Sequence, residues 1–370
     1  MAASYQFGIE EELFLADAGT RGSPEQWQSF HTAVRERMPE VERELLVSQV
    51  EIMTQPCTSF AEARTTLSNL RNGLAEIGRE HGVLVFGGGS HPTAKWRRET
   101  QTKKERYDEI ADDLQMLAER DVVCGMHVHV EVPDPARRVD LMNRMLPYTP
   151  VFLALSASSP FWEGRDTGLN AYRLSVWGEM PRTGLPELFA DGADYDRLVA
   201  TMVAAGAIPD ASYLWWTLRP SSRYPTLELR VADSCTRVED TLAIAAVYRC
   251  LLRHLDRNPE HNAGLTSVSR AVASENMWRV QRDGVRANVI LEDGRAVPFA
   301  DHLDAIIDRI RPDADALGCE AEVAHARTIV TGGTSADRQH AIFADATASG
   351  ASTADALIEV VDWMAEASGG

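Results

Sequence analysis

The chain has 370 residues, 44% of them apolar and 25% charged, which is the composition of an ordinary globular protein. Its formal net charge of −18 argues against a nucleic-acid-binding protein, which would carry a basic surface. The first fifteen residues have no basic segment followed by an apolar one, and no apolar run is long enough to cross a bilayer. We therefore expect neither a signal peptide nor a membrane span.

The cysteines are scattered, odd in number and without a CxxC pair: Cys57, Cys124, Cys235, Cys250 and Cys319. This distribution predicts no disulfide framework and no zinc knuckle, and it is typical of a protein of the reducing cytoplasm.

The predicted strands all lie in the first two thirds of the chain, together with several predicted helices. Residues rich in β-branched and apolar side chains predict strands over 5–17, 43–53, 83–86, 122–132, 213–219 and 226–233. Apolar residues at helical spacing predict helices over 24–38, 59–81, 106–120, 136–145 and 151–157. An irregular segment is expected over 160–186.

The last third of the chain is predominantly helical, with predicted helices over 239–256, 266–282, 299–311, 313–330, 336–346 and 353–367. This segregation favours an α+β fold with an antiparallel sheet over a doubly wound parallel one. The break at residues 257–259 separates a sheet-and-helix core, 1–258, from a helical extension, 259–370. We expect the extension to pack on the core within one structural domain.

Three predicted strands each carry two polar residues at a spacing of two. The pairs are Glu10 and Glu12, His127 and His129, and Glu228 and Arg230. Because strand side chains alternate, both members of a pair lie on the same face. Taken singly, the pairs are also typical of a solvated strand face, a buried histidine pair and a cross-strand ion pair.

Together, the three pairs indicate a metal site. So many inward charges are unfavourable unless they are paired or bind a cation, and Mg²⁺ prefers oxygen ligands. Glu51, in the strand over 43–53, is a further candidate ligand, and Glu44 is expected near it. Soft ligands are absent from this pattern, which disfavours zinc or an iron–sulfur cluster.

Arginines are the second signal, because their guanidinium groups bind phosphate and carboxylate oxygens through two parallel hydrogen bonds. The candidates are Arg173, Arg219, Arg223 and Arg230. The sequence has neither a GxSxG nucleophile motif nor a GxxxxGK[ST] phosphate loop. The glycines at 87–89 predict a turn that ends a strand, and Trp162, Trp215 and Trp216 are expected in the core or at a rim.

An ordered set of motifs resembles the carboxylate–amine ligase branch of the type 2 glutamate–cysteine ligase family. They are FGIEEE from residue 7, SQVE from 48, GMHVH from 125, NAYR from 170, RP from 219 and TLELR from 226, with NMWR from 276 a weaker extension. The resemblance implies a glutamine-synthetase-like fold, with an antiparallel sheet forming a cup backed by helices. It also implies that ATP phosphorylates a carboxylate and that an amine then displaces the phosphate.

By matching positions, the resemblance assigns roles to the candidate residues. Arg230 and Arg173 would contact the transferring phosphoryl group or the substrate carboxylate, while Arg219 and Arg223 are candidates for nucleotide binding. The Mg²⁺ ligands, or Mn²⁺ ligands, would be Glu10, Glu12, Glu51, His127, Glu228 and His129. The expected substrates are an amino acid such as glutamate and an amine, with weak glutamate–cysteine ligase activity, and a homodimer is expected.

Two alternatives stay open at this level. One is a metal-dependent hydrolase that uses the His127-x-His129 strand, although its other histidines fall in predicted helices or loops. The other is an inactive relative that binds metabolites or a protein.

Overall fold

The computed structural model describes residues 5–24 and 27–369. Within these residues the largest sheet has seven strands, and all of its pairings are antiparallel. The strands are β1 (Phe7–Asp17), β2 (Glu42–Arg43), β3 (Gln49–Met53), β4 (Val83–Phe86), β5 (Met126–Glu131), β6 (Phe161–Trp162), β7 (Arg165–Asp166), β8 (Thr183–Gly184), β9 (Trp215–Trp216), β10 (Leu218–Pro220), β11 (Thr226–Leu229), β12 (Asn288–Ile290) and β13 (Ala296–Pro298).

The large sheet has β1 near its centre. Its strand order is β10, β11, β5, β1, β3, β2, and β4 pairs with the C-terminal part of β1. The remaining strands form three separate pairs, β6–β7, β8–β9 and β12–β13. The predicted antiparallel sheet is therefore confirmed.

Helices pack around this sheet and make up most of the chain after residue 237. They are α1 (Gln28–Arg37), α2 (Phe60–His81), α3 (Glu105–Leu114), α4 (Met116–Glu119), α5 (Arg138–Met145), α6 (Thr149–Ser156), α7 (Arg173–Trp177), α8 (Gly192–Ala204), α9 (Val238–Arg257), α10 (Ser267–Asp283), α11 (Phe299–Leu317), α12 (Glu320–Gly332), α13 (Ser335–Ala348) and α14 (Thr353–Ser368).

The two faces of β1 differ because side chains alternate along the strand. Phe7, Ile9 and Leu13 are buried in the main hydrophobic core. Glu10 and Glu12 lie on the opposite face and are partly exposed. A shift of the pairing by one residue would exchange these two sets, so burial of the apolar face fixes the direction of the carboxylates.

Glu11 belongs to the core face and is neutralised there by a buried arginine. Arg71 donates from Nη2 to Glu11 Oε1 (2.7 Å) and from Nε to Oε2 (2.9 Å). It also donates to the carbonyls of Cys235 and Thr236, both at 2.8 Å. Thr241 completes the arrangement with a 2.6 Å hydrogen bond to Glu11 Oε1. This network joins β1, α2 and the segment that leads into α9.

Helix α2 shows why the sequence pattern was informative. Ser59 caps its N-terminus, accepting from the Glu62 N–H, and the Glu62 side chain accepts from the Ser59 N–H. Gly82 ends it at φ 69°, a conformation that favours glycine. The stripe that includes Leu67 and Leu74 is buried, and the helix predicted over 59–81 is confirmed.

Several predicted helix boundaries are wrong. The helix expected over 106–120 is interrupted by Gln115, whose φ of 51° separates α3 from α4. The helices expected over 299–311 and 313–330 are divided at Gly318 instead of at Pro312. The apolar stripe of α11 continues beyond the proline to Ala314, and this burial offsets the hydrogen bond that proline removes.

Predicted strands are mostly shorter in the structure. The strand expected over 43–53 is divided into β2 and β3, and that over 213–219 into β9 and β10. Only 126–131 of 122–132 and 226–229 of 226–233 are strand, because the flanking residues make isolated bridges such as Gly125 with Asp233. Helix α8 and the β12–β13 pair were not predicted. Residues 1–4, where no signal peptide is expected, lie outside the described residues. Residues 25–26, within the helix predicted over 24–38, also lie outside them.

The C-terminal helices contact the sheet-bearing part directly. Helix α12 packs on α9, and α14 packs on β4. Ile9, Leu251 and Val323 all belong to the same cluster of buried apolar residues. The division into 1–258 and 259–370 stays a prediction.

Candidate active site

The polar faces of β1, β3, β5 and β11 meet on one side of the large sheet. The register sets residues directly opposite each other across neighbouring strands: Glu10 with His127, Glu12 with Glu51, and Glu228 with His129. Residues that are far apart in sequence are therefore neighbours in space, as the two-residue spacing on separate strands predicts.

The first part of the site is a carboxylate–imidazole cluster formed by Glu10, Glu51 and His127. One oxygen or nitrogen atom from each lies within 4.8 Å of the others. His127 Nδ1 is 3.3 Å from Glu10 Oε2, and His127 Nε2 is 3.8 Å from Glu12 Oε1. His127 Nε2 is buried and has no hydrogen-bond partner among the described residues. This geometry suits a divalent cation.

The protonation equilibria of this cluster reflect crowding of like charges. Burial raises the pKa of Glu51 well above its ordinary value, and Glu44, Glu10 and Glu12 add to the effect. Burial and then Glu12 raise the pKa of Glu44 to about 7. Burial also acts to raise the pKa of Glu10, but hydrogen bonds with the two histidines outweigh it and lower the pKa. A bound cation would relieve the repulsion among these carboxylates.

His129 connects this cluster to β11. Its Nε2 is 3.3 Å from Glu10 Oε1 and 4.0 Å from Glu228 Oε2, and its Nδ1 is 2.9 Å from Thr226 Oγ1. Burial acts to lower the pKa of His129, but Glu10 and Glu228 outweigh it and raise the pKa. For His127 burial prevails, together with the charge of Arg230, and the pKa is lowered.

Glu228 is held between two arginines. Arg219 donates from Nε to Glu228 Oε2 (2.8 Å) and from Nη2 to Oε1 (3.2 Å), and Arg230 Nη1 donates to the same Oε1. Burial acts to raise the pKa of Glu228, but Arg230 and Arg219 keep it well below its ordinary value. In this arrangement Glu228 positions guanidinium groups, and its role as a metal ligand stays a prediction.

Arg173 enters the site over a glycine. A Cβ atom at Gly125 would lie 2.2 Å from Arg173 Nη2, so only glycine leaves room for this guanidinium. The N–H of Arg173 donates to Ser159 Oγ (3.0 Å), which donates to the buried Asp233 (2.7 Å). Arg173 Nε is buried without a hydrogen-bond partner among the described residues. Burial raises the pKa of Asp233 to about 6.

A cavity of about 540 Å³ contains these groups. Seven carboxyl groups and five arginine or lysine side chains line it, so the excess charge is negative. Each predicted site residue borders this cavity: Glu10, Glu12, Glu51, His127, His129, Arg173, Arg219, Arg223, Glu228 and Arg230. Arg223 lies beside Tyr224, with its guanidinium 5.1 Å from the ring centroid.

The sequence analysis missed a second part of the cavity. Asp121 borders it, and burial, followed by the charge of Glu12, raises the pKa of Asp121 to about 7. Trp215, expected in the core or at a rim, is one of several apolar residues that line the cavity. Asp121 lies an even number of positions before His127, so extending the alternation back by six residues from His127 would have found it.

Solved structures with the same fold include two ligases. A bifunctional glutathione synthetase from Pasteurella multocida has a TM-score of 0.69 at 14% identity, over 98% of this chain and 52% of its own. This chain thus spans about half the length of that protein. A glutamate–cysteine ligase from Francisella tularensis, solved with AMP, has a TM-score of 0.68 at 11% identity. The match covers 99% of this chain and 89% of that protein. The expected fold class, α+β with an antiparallel sheet backed by helices, is confirmed.

The sequence comparisons are more specific. Residues 6–355 match the family described as Glutamate-cysteine ligase family 2 (GCS2). A protein of Bradyrhizobium diazoefficiens named “Putative glutamate–cysteine ligase 2” is 47% identical over 91% of this chain and 80% of its own length. A protein of the same name from Rhodospirillum rubrum is 43% identical over 98% of this chain and 95% of its own length. The chain belongs to glutamate–cysteine ligase family 2, as its motifs predicted.

Among the described residues, no helix combines the length and apolar character that crossing a membrane requires. The expected homodimer and cytoplasmic location stay predictions.

Proposed function

We propose that the chain is an ATP-dependent carboxylate–amine ligase that works through an acyl phosphate and has weak glutamate–cysteine ligase activity. The observation that carries this proposal is the meeting, in one cavity, of a carboxylate–imidazole cluster with the guanidinium groups of Arg173, Arg219 and Arg230. Membership of a family named for a ligase supports it, as does the AMP in the Francisella tularensis structure.

The residues fit Mg²⁺, or Mn²⁺ in its place, on two counts. The cavity has more carboxylates than cationic side chains, and His127 Nε2 is buried without a partner among the described residues. The proposed ligands are the six assigned above: Glu10, Glu12, Glu51, His127, His129 and Glu228. When bound, such ions neutralise phosphate oxygens and the charge that develops during transfer.

The arginines would bind the anionic groups of the reaction. Arg230 and Arg173 are proposed to contact the transferring phosphoryl group or the substrate carboxylate, and Arg219 and Arg223 the nucleotide. Glu228 would hold Arg219 and Arg230 in fixed orientations through the ion pairs described above. Phosphoryl transfer depends on positioning and charge stabilisation more than on covalent participation by the protein.

The proposed reaction has two steps. A carboxylate oxygen of an amino acid such as glutamate attacks the γ-phosphorus of ATP, the bond to the β-phosphate oxygen breaks, and ADP leaves. The nitrogen of an amine then attacks the acyl carbon, phosphate departs with its oxygen, and the nitrogen loses a proton. No side-chain nucleophile is needed.

Nothing in the family membership or the fold comparisons favours the hydrolase alternative. A hydrolase would not need ATP, whereas the ligase should release ADP over many turnovers only when both a carboxylate and an amine are present. The inactive-relative alternative predicts nucleotide binding without turnover. ADP release by the full chain, with Mg²⁺, ATP and a panel of amino acids and amines, separates the three.

The Glu228→Gln variant sharpens the test. It removes the charge that holds two arginines, so we expect kcat to fall at least about 100-fold with the fold retained. Arg230→Lys should also reduce activity, because lysine lacks the two-pronged guanidinium. Glu80→Gln is the matched control, since it removes an exposed carboxylate outside the cavity. Full activity of Glu228→Gln, or no ADP release with any substrate pair, would refute the proposal.

A further inference from the structure

Part of the cavity lining is an apolar wall, whose residues have no role in the two proposed reaction steps. Its members are Tyr107, Ile110, Trp177, Met180 and Trp215. Trp177, Met180 and Trp215 belong to a small hydrophobic cluster that is separate from the main core. Aromatic rings and a flexible thioether give a surface suited to a large apolar group.

This wall is fixed to the segment that precedes β5. Arg120 donates from Nε and Nη2 to the two carboxylate oxygens of Glu179, both at 2.8 Å. Glu179 directly precedes Met180, and Arg120 directly precedes Asp121. The apolar wall and the Asp121 carboxylate are therefore held beside each other by a two-pronged ion pair.

Asp121 offers an unused acceptor in this part of the cavity. Its Oδ1 is buried and has no hydrogen-bond partner among the described residues. The charges of Arg173 and Arg230 act on Asp121, but among the described residues neither donates a hydrogen bond to it: Arg173 donates to the carbonyls of Arg230 and Val231, and Arg230 donates to Glu228. A buried carboxylate without a partner is unfavourable, so a ligand that supplies a cation would be bound strongly.

We propose that Asp121 and the apolar wall bind the amine substrate, and that this substrate carries a ring-sized apolar side chain beside its ammonium group. The inference rests on the proposed function, in that it identifies the class of amine which the ligase joins. Cationic side chains already lie over three rings of the wall, Lys104 over Tyr107, Arg173 over Trp177 and Arg182 over Trp215. The wall would therefore contact the apolar side chain of the substrate, and Asp121 its ammonium group. The side chain of cysteine is too small to cover the wall.

Binding of simple amines tests the inference without turnover. The probes are 2-phenylethylamine, ethylamine, which lacks the ring, and 2-phenylethanol, which lacks the charge. Their dissociation constants are measured on the full chain by calorimetry or ligand-observed NMR, with and without Mg²⁺ and a non-hydrolysable ATP analogue. We expect 2-phenylethylamine to bind at least about tenfold more tightly than either of the others.

The Asp121→Asn variant isolates the charge. It keeps the shape of the side chain, so binding of 2-phenylethanol should be unchanged, while 2-phenylethylamine should bind about 10- to 100-fold more weakly. The dissociation constants of 2-phenylethylamine and 2-phenylethanol, each measured on wild-type protein and on Asp121→Asn, then form a double-mutant cycle for the interaction between the ammonium group and Asp121. Asp112→Asn is the matched control, because Asp112 lies exposed on α3 and outside the cavity.

The outcomes separate this inference from the proposed function. It is overturned if wild-type protein binds none of the probes, if 2-phenylethylamine and ethylamine bind equally, or if Asp121→Asn keeps the preference for amine over alcohol. ADP release with small amines alone would then leave the ligase proposal standing. Conversely, the expected binding pattern without ADP release for any substrate pair would support the subsite and refute the ligase.

Discussion

Removing the arginine that neutralises Glu11 should destabilise the protein without touching the cavity. In Arg71→Met, the 0% exposed Glu11 loses two hydrogen bonds, and the carbonyls of Cys235 and Thr236 lose one each. Breaking a buried ion pair by removing one partner costs about 3–5 kcal/mol, and we take about 4 kcal/mol. At roughly 2.1 cal/mol/K per residue, 370 residues have an unfolding entropy of about 0.8 kcal/mol/K, so Tm should fall by about 5 °C.

The assay is thermal and urea unfolding followed by circular dichroism. Arg37→Met is the control, since it breaks an exposed pair with Glu80 that should contribute about 0–1 kcal/mol. The double variant Arg71→Met with Glu11→Met should recover at least half of the loss, because no buried charge then lacks a partner. If Arg71→Met shifts Tm no more than Arg37→Met does, the reasoning about this network is wrong.

Three further variants test other parts of the structure. Gly125→Ala puts a Cβ 2.2 Å from Arg173 Nη2, so the guanidinium must move. We expect kcat/KM to fall about 100-fold and Tm to stay nearly unchanged. Full activity of this variant would remove Arg173 from the site. Mg²⁺ should raise the Tm of wild-type protein but not that of Glu51→Gln, and EDTA should reverse the rise. Equal Tm shifts in the two proteins would contradict a cation at the carboxylate–imidazole cluster. Burial lowers the pKa of His91 to about 3. Between pH 6.5 and 3 the imidazole is therefore protonated in the unfolded state but neutral in the folded state. Wild-type protein should lose stability as the pH falls through this window. At pH 5 this loss of unfolding free energy is about 2 kcal/mol. The unfolding free energy of His91→Gln should therefore depend less steeply on pH than that of wild-type protein. Parallel profiles for the two proteins would exclude His91 as the source of the loss.

The sequence was most informative where local pattern and tertiary structure agree. Alternation in β1 places Glu10 and Glu12 on one face, and burial of Phe7 and Ile9 on the other makes that face unambiguous. Pairing with His127 could be expected from the same alternation on a separate strand. The order of the strands, however, depends on contacts between distant segments, and no local pattern encodes them.

Other features could not be anticipated for physical reasons. Gln115 adopts a left-handed conformation that its residue type does not favour, so propensity predicts an unbroken helix. Pro312 is tolerated because tertiary burial outweighs a local penalty. Glu228 carries the alternating pattern of the other pairs, yet its ion pair with Arg219 depends on the register between β10 and β11.

The carboxylates and the apolar wall of the cavity belong to different parts of the molecule. The carboxylates project from β1 and β3, whose opposite faces form the main core, so changes there alter folding and chemistry together. Most of the apolar wall belongs to a separate small cluster around α3, α4 and α7, while Tyr107 packs against another cluster. Substitutions at Met180 or Ile110 would therefore alter the apolar wall while leaving intact the strands that carry the carboxylates.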